Sequence, residues 1–188
     1  MTKSRLEAFS DGVIAILITI MVLELKPPHE PTFEAFFHQY PVYLSYVLSF
    51  VNIGIYWNNH HHLLHGVQRI SGGVMLANLN LLFWLSLVSF ATAWAGETRF
   101  ASAPVAVYGI VLICCAISYI ILQSSLIHAN GKDSDFAKAI GKDFKGKLSL
   151  AIYLVAVPVA WFLPIVSCLL FVAVAILWFI PDRRFENI

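Results

Sequence analysis

Charged residues are scarce in this sequence. They make up 12% of its 188 residues, whereas hydrophobic residues make up 59%. A typical soluble domain is about 25% charged and about 45–50% apolar. A water-soluble globular domain is therefore excluded, and the composition predicts an all-α integral membrane protein. The net charge of +1 carries little information, because the placement of charge matters more than its sum in a membrane protein.

Cysteines are also few, and their arrangement excludes a cysteine-ligated metal site. Cys114, Cys115 and Cys168 lie in apolar stretches without metal-type spacing, so we interpret them as small buried hydrophobic residues. The sequence has no glycine-rich nucleotide-binding loop and no nucleophile–base pair with motif spacing. We therefore predict one transmembrane domain over residues 1–188 that is not an enzyme, binds no nucleic acid, and has neither a metal nor a cofactor.

Long apolar runs are what the sequence has instead. A helix needs about 20 apolar residues to cross a bilayer, and the runs predict six spans, with five as the alternative. Asp11 interrupts the first run and no small-residue cleavage site follows, so this run is not a cleaved signal peptide. Pro158 and Pro164 favour a break near residues 162–164. The predicted spans cover residues 6–25, 41–60, 72–95, 101–128, 147–162 and 164–181.

Basic residues are distributed unevenly between the predicted loops. If the N-terminus is cytoplasmic, ten of them fall on that side and only Lys26 and Arg99 fall on the other. Positive residues concentrate in cytoplasmic loops, so the asymmetry predicts a multi-pass protein of the cell membrane, surrounded by lipid, with both termini in the cytoplasm. The longest polar loop contains a segment, residues 136–140, that suits an interfacial helix. The ten residues are Lys3, Arg5, Arg69, Lys132, Lys138, Lys142, Lys145, Lys147, Arg183 and Arg184.

The first span begins with charged residues and continues as an aliphatic run. An ionisable residue inside a span costs about 2.5–3.5 kcal/mol on insertion scales, which makes Asp11 a functional candidate. A structural hydrogen-bonding role is the other interpretation. A helix turns about 100° per residue, which places five side chains on one stripe, Thr19 at its edge and Asp11 about 140° from Ile16. Spacing alone leaves open whether the stripe faces lipid, other helices or a pore. The stripe is Phe9, Gly12, Ile16, Ile20 and Leu23.

Four histidines cluster at the end of the second span, between residues 60 and 65. Adjacent residues on a helix point about 100° apart, so three consecutive histidines cannot all bind one ion. His61 and His65 are four residues apart and suit a metal or haem ligand pair. We favour hydrogen bonding of one or two histidines inside the bundle. His60 or His61 is then the candidate partner for Asp11, because a donor or an opposite charge stabilises a carboxylate.

Two asparagines lie within the third span, at Asn78 and Asn80. They are two residues apart and therefore lie on different faces of the helix. Polar side chains of this kind join helices inside membranes. We predict that Asn80 belongs to the same hydrogen-bond network as Asp11. Trp57 and Trp84 suit either interfacial anchoring or packing between helices.

The motif Arg-x-x-x-Phe-Ser-Asp, formed by Arg5, Phe9, Ser10 and Asp11, resembles the signature of the transmembrane protein 175 family of potassium channels. The sequence Tyr-Trp-Asn-Asn-His-His at residues 56–61 also looks like part of that family's second helix. Asn-Leu-Leu-Phe-Trp, beginning at Asn80, looks like part of its third. The resemblance covers about half of the chain in motifs and all of it in hydropathy layout.

The resemblance implies six spans per subunit and a homotetramer whose first helices line a central pore. It implies passive potassium conduction through layers of aliphatic side chains rather than a carbonyl filter, and this chain has no Thr-Val-Gly-Tyr-Gly sequence. By position, the constriction is formed by Ile16, Ile20 and Leu23, with Thr19 as a polar contributor, and potassium is the permeant ion rather than a cofactor. With the polar residues predicted above, the structural hydrogen-bond network is Arg5, Phe9, Ser10, Asp11, His60, His61 and Asn80.

A proton-coupled secondary transporter is the alternative function. In it, Asp11 and a histidine relay protons between two access states. The lack of a convincing inverted repeat and the scarcity of polar residues for an organic solute argue against it. A membrane haem or metal protein is a third interpretation. It would need ligands beyond His61 and His65, and His128 is the one histidine in or at the end of the remaining spans.

Overall fold

The computed structural model of the chain describes residues 2–141 and 143–179, and it confirms the all-helical architecture. Six longer helices form a bundle, and two short helices lie in its loops. A 3₁₀ turn, Val22–Glu24, follows the first helix. The helices are α1 (Lys3–Met21), α2 (Phe33–His38), α3 (Tyr40–His65), α4 (Gly72–Glu97), α5 (Ser102–Asn130), α6 (Asp135–Ile140), α7 (Phe144–Ala160) and α8 (Pro164–Phe179).

Local sequence signals fix where several helices begin. The Ser71 hydroxyl accepts a hydrogen bond from the backbone N–H of Val74 at the start of α4. Such a side chain satisfies one of the backbone donors that a helix leaves unpaired at its N-terminus. Pro41 lies in the first turn of α3, where its missing N–H and fixed φ are tolerated. Equivalent caps stand before α2, α6 and α7, at Thr32, Ser134 and Asp143.

Helix ends differ in places from the predicted spans. The α-helix of the first span ends at Met21, and Leu23 lies in the 3₁₀ turn. A 3₁₀ helix has about 3 residues per turn instead of 3.6, so α-helical periodicity does not extend to Leu23. The break in the last apolar stretch falls between Ala160 and Pro164. Lys142, Arg183, Arg184 and residues 180–181 of the last predicted span lie outside the described residues.

Three helical segments in the described part are long and apolar enough to cross a membrane: Lys3–Glu24, Gly72–Glu97 and Ser102–Asn130. The described part of α8 forms a shorter apolar helix. Although α3 has 26 residues, many are polar, and α7 has 17 residues. The chain therefore contains membrane-spanning helices, and the count of six spans stays a prediction.

The core of the bundle lies along α4 and α5. On one side α4 packs against α3, on the other α5 packs against α7, and α8 packs against α7. α1 packs on α3 and α4. Helices in a bilayer associate through close packing and interhelical hydrogen bonds, because lipid tails are as apolar as the side chains. Fully buried side chains of this core include Leu81, Leu85, Leu112, Leu122 and Phe171.

Gly96 of α4 lies in close contact with α3. A Cβ atom added there would lie 2.5 Å from the Ser45 hydroxyl oxygen and 2.9 Å from the Cα of Val42. The second contact is to backbone, which cannot rotate away. We expect Gly96→Ala to lower the free energy of unfolding by about 1–3 kcal/mol through overpacking, measured by thermal unfolding in detergent micelles. Gly54→Ala is the control, because nothing lies within 4 Å of its added Cβ. An equal loss in both variants would contradict this prediction.

Candidate functional site: the first helix and its supports

The predicted aliphatic stripe of α1 and the following turn lies on the surface of the subunit. The exposed fraction is 48% for Phe9, 56% for Ile16, 45% for Ile20 and 73% for Leu23. The opposite face is buried against α3 and α4, and includes Leu6, Ser10, Ile14 and Met21. An aliphatic face that a single subunit leaves open contacts lipid, another subunit or a pore. Gly12 and Thr19 are exposed on the same face.

Thr19 adds a polar atom to this aliphatic face. Its hydroxyl donates a hydrogen bond of 2.9 Å to the backbone carbonyl of Ile16, one turn earlier in α1. The hydroxyl proton is therefore used in a hydrogen bond to the backbone. The lone pairs of the oxygen remain as acceptors on the exposed side. This arrangement presents an oxygen, rather than a proton donor, between the side chains of Ile16 and Ile20.

A buried hydrogen-bond chain holds the opposite face of α1. The Asn78 Nδ2 of α4 donates to the Ser10 Oγ at 2.9 Å, and the Ser10 hydroxyl donates to the Leu6 carbonyl at 2.8 Å. The Asn78 Oδ1 lies 2.7 Å from the His60 Nε2 of α3. Ser10, Asn78 and His60 are all buried. Buried polar groups carry a large penalty when unpaired, so this chain fixes the rotation of α1 against α3 and α4.

Asp11 is bound beside this chain by a tryptophan. The Trp57 Nε1 of α3 donates to the Asp11 Oδ1 at 2.9 Å, and Asp11 is half-buried. The prediction that a histidine binds Asp11 is therefore wrong. His60 is hydrogen-bonded to Asn78 instead. His61 is exposed, and its ring stacks between those of Trp57 and His65. An indole N–H is donor only, so it suits a carboxylate, and sequence reasoning overlooked it.

Asn80 is placed outside the chain that contains Ser10. Its Nδ2 donates to the hydroxyl of Ser118 in α5 at 2.7 Å, so its assignment to the network of Asp11 is corrected to an α4–α5 contact. Asn78, rather than Asn80, is the asparagine of α4 that bonds to α1. A sequence signal existed: the buried side of α4 repeats at helical spacing, and Asn78 follows it whereas Asn80 does not. The repeat is Val74, Asn78, Leu81 and Leu85.

Arg5 and Phe9 are placed on the exposed face of α1, away from the buried chain. Both are exposed, and the described part of the subunit gives the Arg5 guanidinium no hydrogen-bond or salt-bridge partner. Arg5 lies four residues before Phe9, which puts both at the end of the same stripe. Within one subunit, the Arg-x-x-x-Phe-Ser-Asp motif thus divides into an exposed pair and a buried or half-buried pair, Ser10 and Asp11.

A second buried polar cluster joins α3, α4 and α5 nearer the other end of the bundle. The Tyr108 hydroxyl of α5 lies 3.0 Å from the Ser49 Oγ and accepts from the Asn52 Nδ2 at 3.3 Å. The Thr92 hydroxyl of α4 contacts Ser49 at 2.5 Å and the Val88 carbonyl at 2.6 Å. Sequence reasoning missed this cluster. The spacing of Ser49 and Asn52, three residues apart on α3, was the available signal.

A metal or haem site gains no support from the geometry. Among residues 2–141 and 143–179, no group of three or more His, Cys, Asp or Glu side chains is placed to hold a metal ion. The rings of His61 and His65 stack with centroids 6.1 Å apart, and His128 is exposed at the end of α5. Cys115 is buried, whereas Cys114 and Cys168 are half-buried.

Known proteins of similar sequence and structure are ion channels. A family model described as "Endosomal/lysosomal potassium channel TMEM175" matches residues 5–88. A potassium channel from Chryseobacterium sp. (strain P1-3) is 48% identical over 187 residues, which cover 100% of this chain and 97% of that protein. The "Endosomal/lysosomal proton channel TMEM175" of Gallus gallus is 28% identical over 162 residues, covering 76% of this chain and 32% of that protein.

A solved structure extends the similarity to the whole fold. The crystal structure of a lysosomal potassium-selective channel TMEM175 homolog from Chamaesiphon minutus matches with a TM-score of 0.84 and 28% sequence identity. The match covers 96% of this chain and 97% of that one. The similarity therefore includes the helices after residue 88, beyond the segment that the family model matches.

Proposed function

Because this chain belongs to the TMEM175 family, we propose that it forms a passive potassium-selective channel in the cell membrane. The family and the relatives it resembles are ion channels, not enzymes. Potassium is the ion named for the relatives from Chryseobacterium and Streptomyces collinus. The permeant ion is the only small ligand that this function requires.

The observation that carries the proposal is the exposed aliphatic face of α1. The helix is bonded to α3 and α4 through its other side, so Ile16 and Ile20 are free to face a central axis. We propose that four copies assemble around that axis, with one α1 from each. Each subunit then contributes six spans, α1, α3, α4, α5, α7 and α8. An even number of spans puts both termini on the same side of the membrane, and the excess of basic residues on that side favours the cytoplasm.

The proposed constriction consists of Ile16, Ile20 and Leu23. Ile16 and Ile20 are four residues apart, which separates them by about 6 Å along the helix axis, and Leu23 follows three residues later in the 3₁₀ turn. We propose that each forms a separate layer of four side chains. Aliphatic layers select and gate through pore diameter and dewetting, without replacing the hydration shell of an ion by carbonyl oxygens. The Thr19 oxygen lies between the first two layers and offers an acceptor to a partly dehydrated cation.

The proposed role of the buried chain is to set the rotation of α1. A rotation of one residue, about 100°, would turn Ile16 away from the axis. Ser10 and Asn78 prevent that rotation from inside the bundle, and the bond between Asp11 and Trp57 prevents it at the side. In this proposal, Ser10 and Asp11 of the motif position the helix, and the aliphatic stripe lines the path of the ions.

Ion flux into liposomes tests the function. With potassium or sodium gradients and no proton gradient, we expect sustained fast potassium flux that exceeds sodium flux and does not saturate at millimolar concentrations. Protein-free liposomes are the control. Saturable uptake that requires a proton gradient would instead support the transporter that uses Asp11 and a histidine. Proton flux without potassium flux would contradict the proposed ion, and a Soret band in the purified protein would support haem binding.

A further inference from the structure

A short helix rich in phenylalanine, α2, lies on the surface at one end of the bundle. None of its six residues is buried. Phe33 is exposed to 83% and Phe37 to 66%, and Phe36 is exposed as well. A helix this short is not stable in water by itself, and exposed phenylalanine rings present a large apolar surface. This surface therefore needs a cover that the described part of the subunit does not supply.

The apolar and polar side chains of α2 lie on different sides of the helix. Residues three and four apart share a face, so the rings of Phe33, Phe36 and Phe37 point to one side. Glu34 and His38, which are also four residues apart, point to another. A helix with aromatic residues on one face and charged or polar residues on the other is typical of the membrane interface.

The contact between His38 and Arg99 fixes the level of α2 along the bundle. The Arg99 Nη2 lies 2.7 Å from the His38 Nε2. Arg99 belongs to the turn between α4 and α5, and both of these helices are long and apolar enough to cross a membrane. The turn that joins them therefore marks one boundary of the bilayer. Lys26 and Glu97 form a salt bridge of 3.7 Å at the same end of α4, as expected for a level where lipid meets water.

The aromatic face of α2 is continuous with an exposed apolar face of α3. The ring centroids of Phe36 and Tyr43 are 4.9 Å apart, which attaches α2 to the first turns of α3. Tyr40 and Leu44, four residues apart on α3, are exposed to about the same extent as Phe36 or more. Aromatic residues at the ends of membrane helices are typical of the headgroup level. The lipid around the bundle thus has an uninterrupted apolar path from α3 to α2.

We propose that α2 lies in the interfacial layer of the lipid bilayer. The rings of Phe33 and Phe37 enter the outer part of the acyl-chain region, and Glu34 and His38 remain at the level of the headgroups and water. A second copy of the chain would cover the same rings with protein, and a position in water would leave them uncovered. The proposal depends on the membrane location of the chain and not on the ion that it conducts, so it and the channel function can fail independently.

Photo-crosslinking of the full chain in phosphatidylcholine liposomes identifies what covers the rings. The photoreactive analogue p-benzoyl-phenylalanine replaces Phe37, and the irradiated protein is analysed by mass spectrometry. We expect a covalent adduct with one phosphatidylcholine molecule. The same analogue in place of Glu34, on the polar side of α2, is the control and should give several times less adduct. A crosslinked dimer of subunits, no adduct at position 37, or equal adducts at both positions would overturn the proposal.

Hydrogen exchange in lipid nanodiscs tests whether the bilayer stabilises α2. Phe37→Ala should speed backbone amide exchange within residues 33–38 by about tenfold, which corresponds to ~1.4 kcal/mol and lies near the lower end of the range for burying one phenylalanine. Phe37 is exposed, so its loss leaves the core of the bundle intact.

A phenylalanine at another exposed position is the control for this variant. Phe162, between α7 and α8, is exposed, and Phe162→Ala should leave exchange within residues 33–38 unchanged. Unchanged exchange in Phe37→Ala, or equal acceleration in both variants, would show that contact with lipid does not hold α2.

Discussion

Replacing Ile16 with asparagine is expected to bring the potassium-to-sodium permeability ratio down to about one, because a polar layer no longer dewets or excludes the larger hydrated ion. The side chain is exposed to 56% in the subunit, so the substitution leaves the packing of α1 on α3 and α4 intact. Total cation current should rise at the same time. In planar bilayers under potassium and sodium gradients, the reversal potential measures the permeability ratio and the amplitude of the current measures the total conduction.

A second polar substitution on an exposed face serves as the control. Ile176 of α8 is exposed to 60% and belongs to no proposed pore layer, so Ile176→Asn places the same side chain in the membrane elsewhere. We expect the ion selectivity of this variant to equal that of the wild type. Unchanged ion ratios in Ile16→Asn would defeat the assignment of Ile16 to the constriction, and an equal change in Ile176→Asn would show a general effect on the membrane fold.

Replacing Asn78 with alanine is expected to lower the free energy of unfolding by about 1–3 kcal/mol, the cost of leaving a buried polar group unpaired. The substitution leaves both the Ser10 hydroxyl oxygen and the His60 Nε2 without the amide between them. It also releases the rotation of α1, so we expect slower and less selective potassium flux. Thermal unfolding in micelles and flux in liposomes measure the two effects.

The matched control lies two residues away on the same helix. Asn80 is half-buried and bonds to Ser118 of α5, so Asn80→Ala removes a similar side chain without touching α1. A typical interhelical hydrogen bond in a membrane contributes about 0.6 kcal/mol, and we expect a loss of that size and unchanged selectivity. If Asn80→Ala impaired ion flux as much as Asn78→Ala, the buried chain would not have the positioning role proposed for it.

The membrane class and the helical architecture followed from composition and hydropathy, because both depend on residues that are near in sequence. The aliphatic stripe was predicted for the same reason: Phe9, Ile16 and Ile20 belong to one helix, and its periodicity fixes their common face. The structure exposes all three. Leu23 is exposed as well, although it lies in a 3₁₀ turn that periodicity alone did not predict.

The partners of the polar side chains were less accessible to sequence reasoning. Asp11 was assigned a histidine and is bound by Trp57. Asn80 was assigned to the network that Asn78 joins. Residue type correctly indicated that these groups would need partners inside the bundle. Several donors lie at a similar depth in the membrane. To predict which of them bonds to Asp11, one needs the relative shift of neighbouring helices along their axes, and a hydropathy pattern does not give that shift.

The sequence by itself determined that this chain is a helical membrane protein and which side of α1 is aliphatic. These properties follow from local periodicity and from the transfer of apolar residues into lipid. Only the tertiary structure decided that Asn78 bonds to both His60 and Ser10, and that Arg5 lies on the exposed face. Those outcomes depend on the relative rotation and offset of helices that are distant in sequence, and close packing of many side chains at once sets both.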